Sequence, residues 1–212
     1  MERKKIFAYS WHVDTKQVNI TNIRIYGVNS KNENICVNIN NFFPFCYLEL
    51  PIEIKWDENN IRLLMARINI IMGGKVENQP YQFKLKYMKK LYYATYDNDN
   101  RKKFPFLYLE YPNKNDIKKL CYRIKNTLKI PCLGSINLKM HEHNATEILQ
   151  LTCKQDIPSV GWIKFTGKRI PMEDKITLCD HEYSSSYSTL TRVDSNIIPK
   201  PLILSFDIEV NS

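Results

Sequence analysis

The sequence predicts an α+β protein in which antiparallel strands dominate and helices are few. Three observations carry that expectation. Apolar and polar residues alternate with period two over much of the chain, only two segments repeat at helical spacing, and 212 residues with 43% hydrophobic content supply ample core. No run approaches ~18 uninterrupted apolar residues. The start "MERKKIFAYSWHVD" is basic but lacks the apolar stretch of a signal peptide. The chain therefore reads as intracellular and non-secreted, with no membrane partner.

From Ile6 to Ile39 the alternation is that of strands, with "NIRIYGV" and "NICVNI" separated by the polar turn cluster "NSKNE". A small antiparallel meander is expected there. "FFPFCYLELP", Phe42 to Pro51, brings an aromatic entry and another strand. Asp57 is placed to cap a helix whose apolar face is Ile61, Leu64, Met65, Ile68 and Met72, with Gly73 and Gly74 as its stop. Tyr81, Phe83, Leu85 and Tyr87 then alternate with Gln82, Lys84 and Lys86, a strand with one basic face. "FPFLYLEYP" is the next strand. Ile117, Leu120, Cys121, Ile124 and Leu128 mark a second helix with Lys118, Lys119 and Lys125 outside, and "CLGSINLKM" closes the series as one strand.

Strand, helix, strand, strand, helix, strand over about 45–140 is the order of a ferredoxin-like βαββαβ unit. RNA-recognition modules share that order but carry a glycine-bearing aromatic signature, and neither "YQFKLKYM" nor "FPFLYLEY" contains glycine. Beyond it, "ATEILQLTCKQDI" and "SVGWIKFTGKRIP" are expected as two more strands returning to the first meander. Trp162, set in an apolar alternation, reads as a sheet-packing residue. Met172 to Pro199 is polar and without strong periodicity, so 172–199 is expected as an irregular connection.

The six cysteines form no C-x-x-C pair, which argues against a zinc ribbon and a disulfide framework and for small core residues. Net charge is +9, and between Lys84 and Lys129 thirteen Lys and Arg face four acids, which is the whole excess. A local field of that kind attracts polyanions. Lys84, Lys86, Lys89, Lys90, Lys118, Lys119 and Lys125 are the candidate nucleic-acid contacts.

The last stretch, "KPLILSFDIEVNS", sets Asp207 and Glu209 two apart in an apolar run that follows a proline. On a strand both side chains share one face. Two carboxylates there need a positive partner, and a metal ion is the obvious one.

"LILSFDIEV" resembles the first exonuclease motif of family B DNA polymerases, the delta-like replicative group. The context strengthens the likeness: a proline-containing lead, an apolar strand, and Gly161, Trp162 and Ile163 upstream as a Gly-Trp-Ile segment. "IRIYGVNSKNENICVNINNFFPFCYLELP" resembles the early segment of such polymerases, notably those of large DNA viruses, and "HEHNATEILQL" a tyrosine-glutamate-x-asparagine element. Gln150 stands where the family often has arginine, and Val210 where it often has cysteine.

The resemblance implies a family B polymerase N-terminal domain over 1–171 and the opening strand of an RNase H-like 3′-5′ exonuclease domain over 200–212. In that setting Asp207 would bridge two Mg2+ ions and Glu209 would hold the one that activates water. Two-metal hydrolysis needs more carboxylates than two, and magnesium demands near-octahedral oxygen ligation, so these 212 residues alone are expected to be inactive. The implied partners are primer–template DNA, a single-stranded 3′ end, the remainder of the polymerase and a processivity factor. The implied location is host cytoplasm or nucleus if the protein is viral. A stand-alone nucleic-acid-binding ferredoxin-like module without catalysis remains open, as does a partner-binding protein of the replication machinery.

Overall fold

The computed structural model describes residues 1–14, 20–75, 79–89 and 103–200. It divides into two compact units, one built from Met1–Val13, Asn22–Asn41 and residues from Leu151 on, the other built chiefly on Phe42–Gln150. The architecture is mixed α+β, rich in strands and poor in helices.

The first unit contains β1 (Glu2–Asp14), β2 (Asn22–Val28), β3 (Asn34–Asn40), β10 (Gly161–Arg169), β11 (His181–Ser186) and β12 (Thr191–Arg192). The expected meander is present, with β2 and β3 antiparallel from Ile23↔Ile39 to Val28↔Asn34. The sheet order is β1-β2-β3-β11-β10-β12, and β1 pairs again with β10, so five of the six strands close on themselves. Because β11 runs parallel to β3, the closure is that of a five-stranded Greek-key barrel of the OB type. Closure removes the exposed edges that an open sheet would leave.

Ile6, Ile23, Ile25, Val37, Ile39, Ile163 and Phe165 are fully buried, and Phe165 meets Tyr183 edge-on at 5.4 Å. β1 passes very close to β2 at Gly27, where a Cβ would lie 2.2 Å from the Phe7 carbonyl oxygen.

Two expectations for this part of the chain are corrected. "ATEILQLTCKQDI" is not a strand but the helix α3 (Glu147–Gln155). Ile148, Leu151 and Thr152 satisfy helical spacing as well as alternation does, and Thr146 supplies the start, its hydroxyl accepting from Leu149 N–H at 3.3 Å. The helix ends where Asp156 turns to φ 49°.

The interval 172–199 is not an irregular connection throughout, since it holds β11, β12 and two short 3-10 turns. β11 escapes a pattern search because polar residues occupy both its faces. Glu182 and Ser184 face Asn38 and Asn40 at 2.7 Å and 2.6 Å, while Ser185 on the other face donates to Thr166 C=O at 2.9 Å.

The second unit contains β4 (Phe45–Glu49), α1 (Glu58–Ile71), β5 (Gln82–Met88), β6 (Phe104–Glu110), α2 (Lys114–Arg123), β7 (Leu128–Ile130), β8 (Gly134–Ile136) and β9 (Lys139–His141). Asp57 caps α1 by accepting from Asn60 N–H at 2.9 Å, and Asn113 caps α2 by accepting from Asp116 N–H at 3.0 Å. Gly73 and Gly74 adopt φ 101° and 68° and end α1 as expected.

The main sheet is ordered β5-β6-β4-β9 with antiparallel neighbours. Both helices contribute to one core with Cys46, Leu48, Leu107 and Leu109, so they cover the same face. The single strand expected over "CLGSINLKM" is broken into β8 and β9. Positive φ at Cys132 (66°) and Gly134 (81°) folds β7 and β8 into a hairpin, and only Lys139–His141 reaches the main sheet.

Gln150 explains how β4 is held. Its amide donates to Phe45 C=O at 2.7 Å and accepts from Phe45 N–H at 3.1 Å, so a buried side chain serves where a strand would otherwise pair.

Candidate nucleic-acid interface

The face of the main sheet opposite the helices carries Phe45 and Tyr47 of β4 and Phe106 and Tyr108 of β6, in register Tyr47↔Tyr108 and Glu49↔Phe106. Their rings pack together, with centroids 5.2 Å apart for Tyr47–Tyr108 and 5.3 Å for Phe45–Tyr108, and His141 meets Phe106 edge-on at 5.6 Å. Phe45, Phe106 and Tyr108 are buried, so these aromatics are packing residues and not open stacking surfaces. His141 and Glu49 pair at 2.8 Å beside them. Burial, with the charges of Glu142 and Glu110, pushes the Tyr47 phenol up to about 12.

Lys84 stands opposite Tyr108 and Lys86 opposite Phe106. The Lys86 ammonium lies 3.9 Å from the centre of the Tyr108 ring, a cation–π contact, while Tyr108 donates its hydroxyl to Glu110 at 2.6 Å. Lys84 and Lys89 are exposed. On β5 the residues of the other parity, Phe83 and Tyr87, are exposed as well, and Tyr81 stacks on Phe43 at 4.1 Å. Lys118 and Lys125 are exposed and Lys119 is half-buried; Lys125 lies 5.6 Å from the centre of the Tyr122 ring.

The fold thus distributes the basic segment. Lys84 and Lys86 project from the side of the sheet away from the helices, whereas Lys118 and Lys119 belong to the helical layer on the other side. Lys90, Asp207 and Glu209 lie outside the described residues. Among the described residues no cluster of three or more His, Cys, Asp or Glu could hold a metal ion, and no helix is long and apolar enough to cross a membrane.

In the first unit, Trp162 is buried and donates its indole N–H to Ile197 C=O at 2.5 Å, while Val193 N–H donates back to Trp162 C=O at 3.0 Å. One side chain thereby ties the segment after β12 to the barrel. Elsewhere in the same unit Lys5 and Lys164 stand directly opposite each other on β1 and β10. Sequence reasoning did not single them out, because they lie far apart in the chain and outside the Lys84–Lys129 segment that carries the net excess.

Residues 138–212 match the family described as DNA polymerase family B, exonuclease domain. DNA polymerase 037L of Invertebrate iridescent virus 6 is 35% identical over 99% of this chain and 18% of its own length. DNA polymerase 120R of Invertebrate iridescent virus 3 is 36% identical over 97% of this chain and 19% of its own. The chain spans about a fifth of the length of these curated relatives. The fold is similar to the family B DNA polymerase of the hyperthermophilic archaeon Pyrobaculum calidifontis, with TM-score 0.66 and 11% identity, over 92% of this chain and 21% of that one. The chain belongs to the family B DNA polymerases and corresponds to their N-terminal region together with part of the exonuclease domain.

Proposed function

We propose that this chain handles template and primer DNA within a DNA-directed DNA polymerase and contributes the first catalytic motif of its 3′-5′ proofreading exonuclease. The observation that carries this is the 35–36% identity to two viral DNA polymerases over nearly the whole chain. A stand-alone binding module would leave the exonuclease-domain match over 138–212 without an account.

Sheet order β9-β4-β6-β5, with two helices on one face, supports reading the second unit as ferredoxin-like. The N-terminal domain in this reading extends beyond 171 through β12, and the RNase H-like exonuclease domain opens at 200–212. The remainder of the polymerase and a processivity factor complete the set of partners.

Asp207 and Glu209 offer hard carboxylate oxygens, the donors that suit Mg2+. Bound there, Mg2+ would supply charge to activate the attacking water and to neutralise the leaving oxygen. Residues two apart would share one face of a strand, and further carboxylates are needed to complete a two-metal set. The exposed Lys84, Lys89, Lys118 and Lys125 meet phosphates, while Lys86 is engaged over Tyr108.

A salt series tests the binding half of the reading. Each phosphate contact to a single strand contributes about 0.7 to the slope of log affinity against log salt. Replacing Lys118, Lys119 and Lys125 together by Glu should flatten that slope for the 212-residue chain. Failure of the unaltered chain to bind any oligonucleotide at low salt would overturn the reading.

A further inference from the structure

Lys5 lies directly opposite Lys164 on the antiparallel β1–β10 ribbon, and Arg3 lies opposite Thr166. Residues opposite one another share a face, and the next pair along is Phe7 with Trp162. The alternate residues Ile6, Ala8, Ile163 and Phe165 are fully buried in the barrel, so the face bearing Arg3, Lys5, Lys164 and Lys168 is the outer one. Neither strand places an Asp or Glu on that face over the paired stretch.

On their other edges Lys164 faces Thr191 and Lys168 faces Ser184, hydroxyls in place of carboxylates. Among the described residues no carboxylate lies within ion-pair distance of these four cations, although Lys4 on the opposite face pairs with Glu2 at 2.9 Å. Like charges directly opposite destabilise a sheet. Partial desolvation, with the charges of Arg3 and Lys5, holds the Lys164 ammonium below the ordinary lysine range.

The fold carries this repulsion on the outer surface of the barrel, where among the described residues no carboxylate offsets it. At its end the rings of Phe7 and Trp162 meet edge-on at 5.6 Å, beside a cleft of ≈ 290 Å³ that reaches Gly161, Arg192 and Asn196. A narrow line of cations matches the recognition of an unpaired strand, where a basic track follows the phosphate backbone; the buried Trp162 packs on Phe7 and closes the line, and Asp194 lines the cleft beyond it.

We propose that the outer face of the β1–β10 ribbon is a second nucleic-acid site, in which Arg3, Lys5, Lys164 and Lys168 bind the phosphodiester backbone of a single strand. It rests on the reading of the chain as nucleic-acid-binding and adds a surface outside the Lys84–Lys129 segment.

The test is a salt series with a fluorescent oligothymidylate and the 212-residue chain, alongside thermal melting without ligand. Lys5→Gln combined with Lys164→Gln should flatten the log–log slope by about 1.4, two contacts at ~0.7 each. The same variant should melt at a higher temperature, since the cross-strand repulsion is gone. Lys5→Arg with Lys164→Arg should keep the slope. An unchanged slope in the Gln variant while the unaltered chain binds overturns this site and leaves the wider reading standing. A flattened slope with a lowered melting temperature overturns it too, because strand pairing was then damaged. Weakening confined to a blunt duplex, with the single strand unaffected, overturns the single-strand assignment. No binding by the unaltered chain overturns the nucleic-acid reading itself.

Discussion

Asn38 donates its side-chain amide to Glu182 at 2.7 Å, joining two buried side chains 144 positions apart on the parallel strands β3 and β11. The other carboxylate oxygen of Glu182 accepts from Ile176 N–H at 3.2 Å, Thr177 N–H at 3.2 Å and the Thr177 hydroxyl at 3.0 Å. One carboxylate therefore anchors the segment before β11 onto the outside of the barrel. Glu182→Ala strands these donors and should cost about 3 kcal/mol, the scale of buried groups left without a charged partner. Urea unfolding measures it, and Glu182→Gln should lose less.

At Gly27 the strand β2 lies hard against β1. A methyl group there would meet the Phe7 carbonyl oxygen at 2.2 Å and Ile6 Cγ1 at 2.6 Å. Gly27→Ala should destabilise the first unit by about 1–3 kcal/mol through overpacking. Hydrogen exchange should show faster opening in β1 and β2, with the β4–β6 amides spared.

Burial pushes the thiols of Cys36 and Cys46 up to about 12. In the unfolded chain they ionise near 8.5. Above that pH the native state holds protons that the unfolded state has lost, so unfolding is linked to proton release and stability falls as pH rises. The stabilisation is complete below about pH 8.5 and is lost progressively between there and about 12. Urea midpoints across the alkaline range should decline, and Cys46→Ala should lessen the dependence. At neutral pH a thiol reagent should label the exposed Cys132 and Cys153 well before Cys36 and Cys46.

In a full-length polymerase carrying this sequence, Asp207→Ala with Glu209→Ala should abolish metal-dependent excision of a mismatched 3′ nucleotide and spare chain extension. The palm carboxylates that support extension belong to a different domain in this reading. Excision at the undiminished rate would sink the assignment. Joint loss of both activities would point to a folding role for the strand.

Much of the local structure was legible along the chain. Alternation marked β2, β3, β5 and β6, and helical spacing with Asp57 and the Gly73–Gly74 pair marked α1. These signals are local because consecutive side chains report directly on which face of an element is buried. The Asp207–Glu209 motif is read in the same way, from residue types at fixed spacing, and it lies outside the described residues.

Tertiary structure alone decided the rest. "EILQLT" satisfies two periodicities, and it becomes α3 where Thr146 opens a helix and Gln150 finds the backbone of Phe45. β11 carries an outward glutamate and serines that count as strand residues only when Asn38, Asn40 and Thr177 arrive from elsewhere. The facing of Lys5 and Lys164 is invisible to any charge count along the sequence, because only barrel closure brings β1 against β10. Periodicity is set by neighbours in the chain, whereas satisfaction of buried polar groups and the meeting of like charges depend on partners that folding alone supplies.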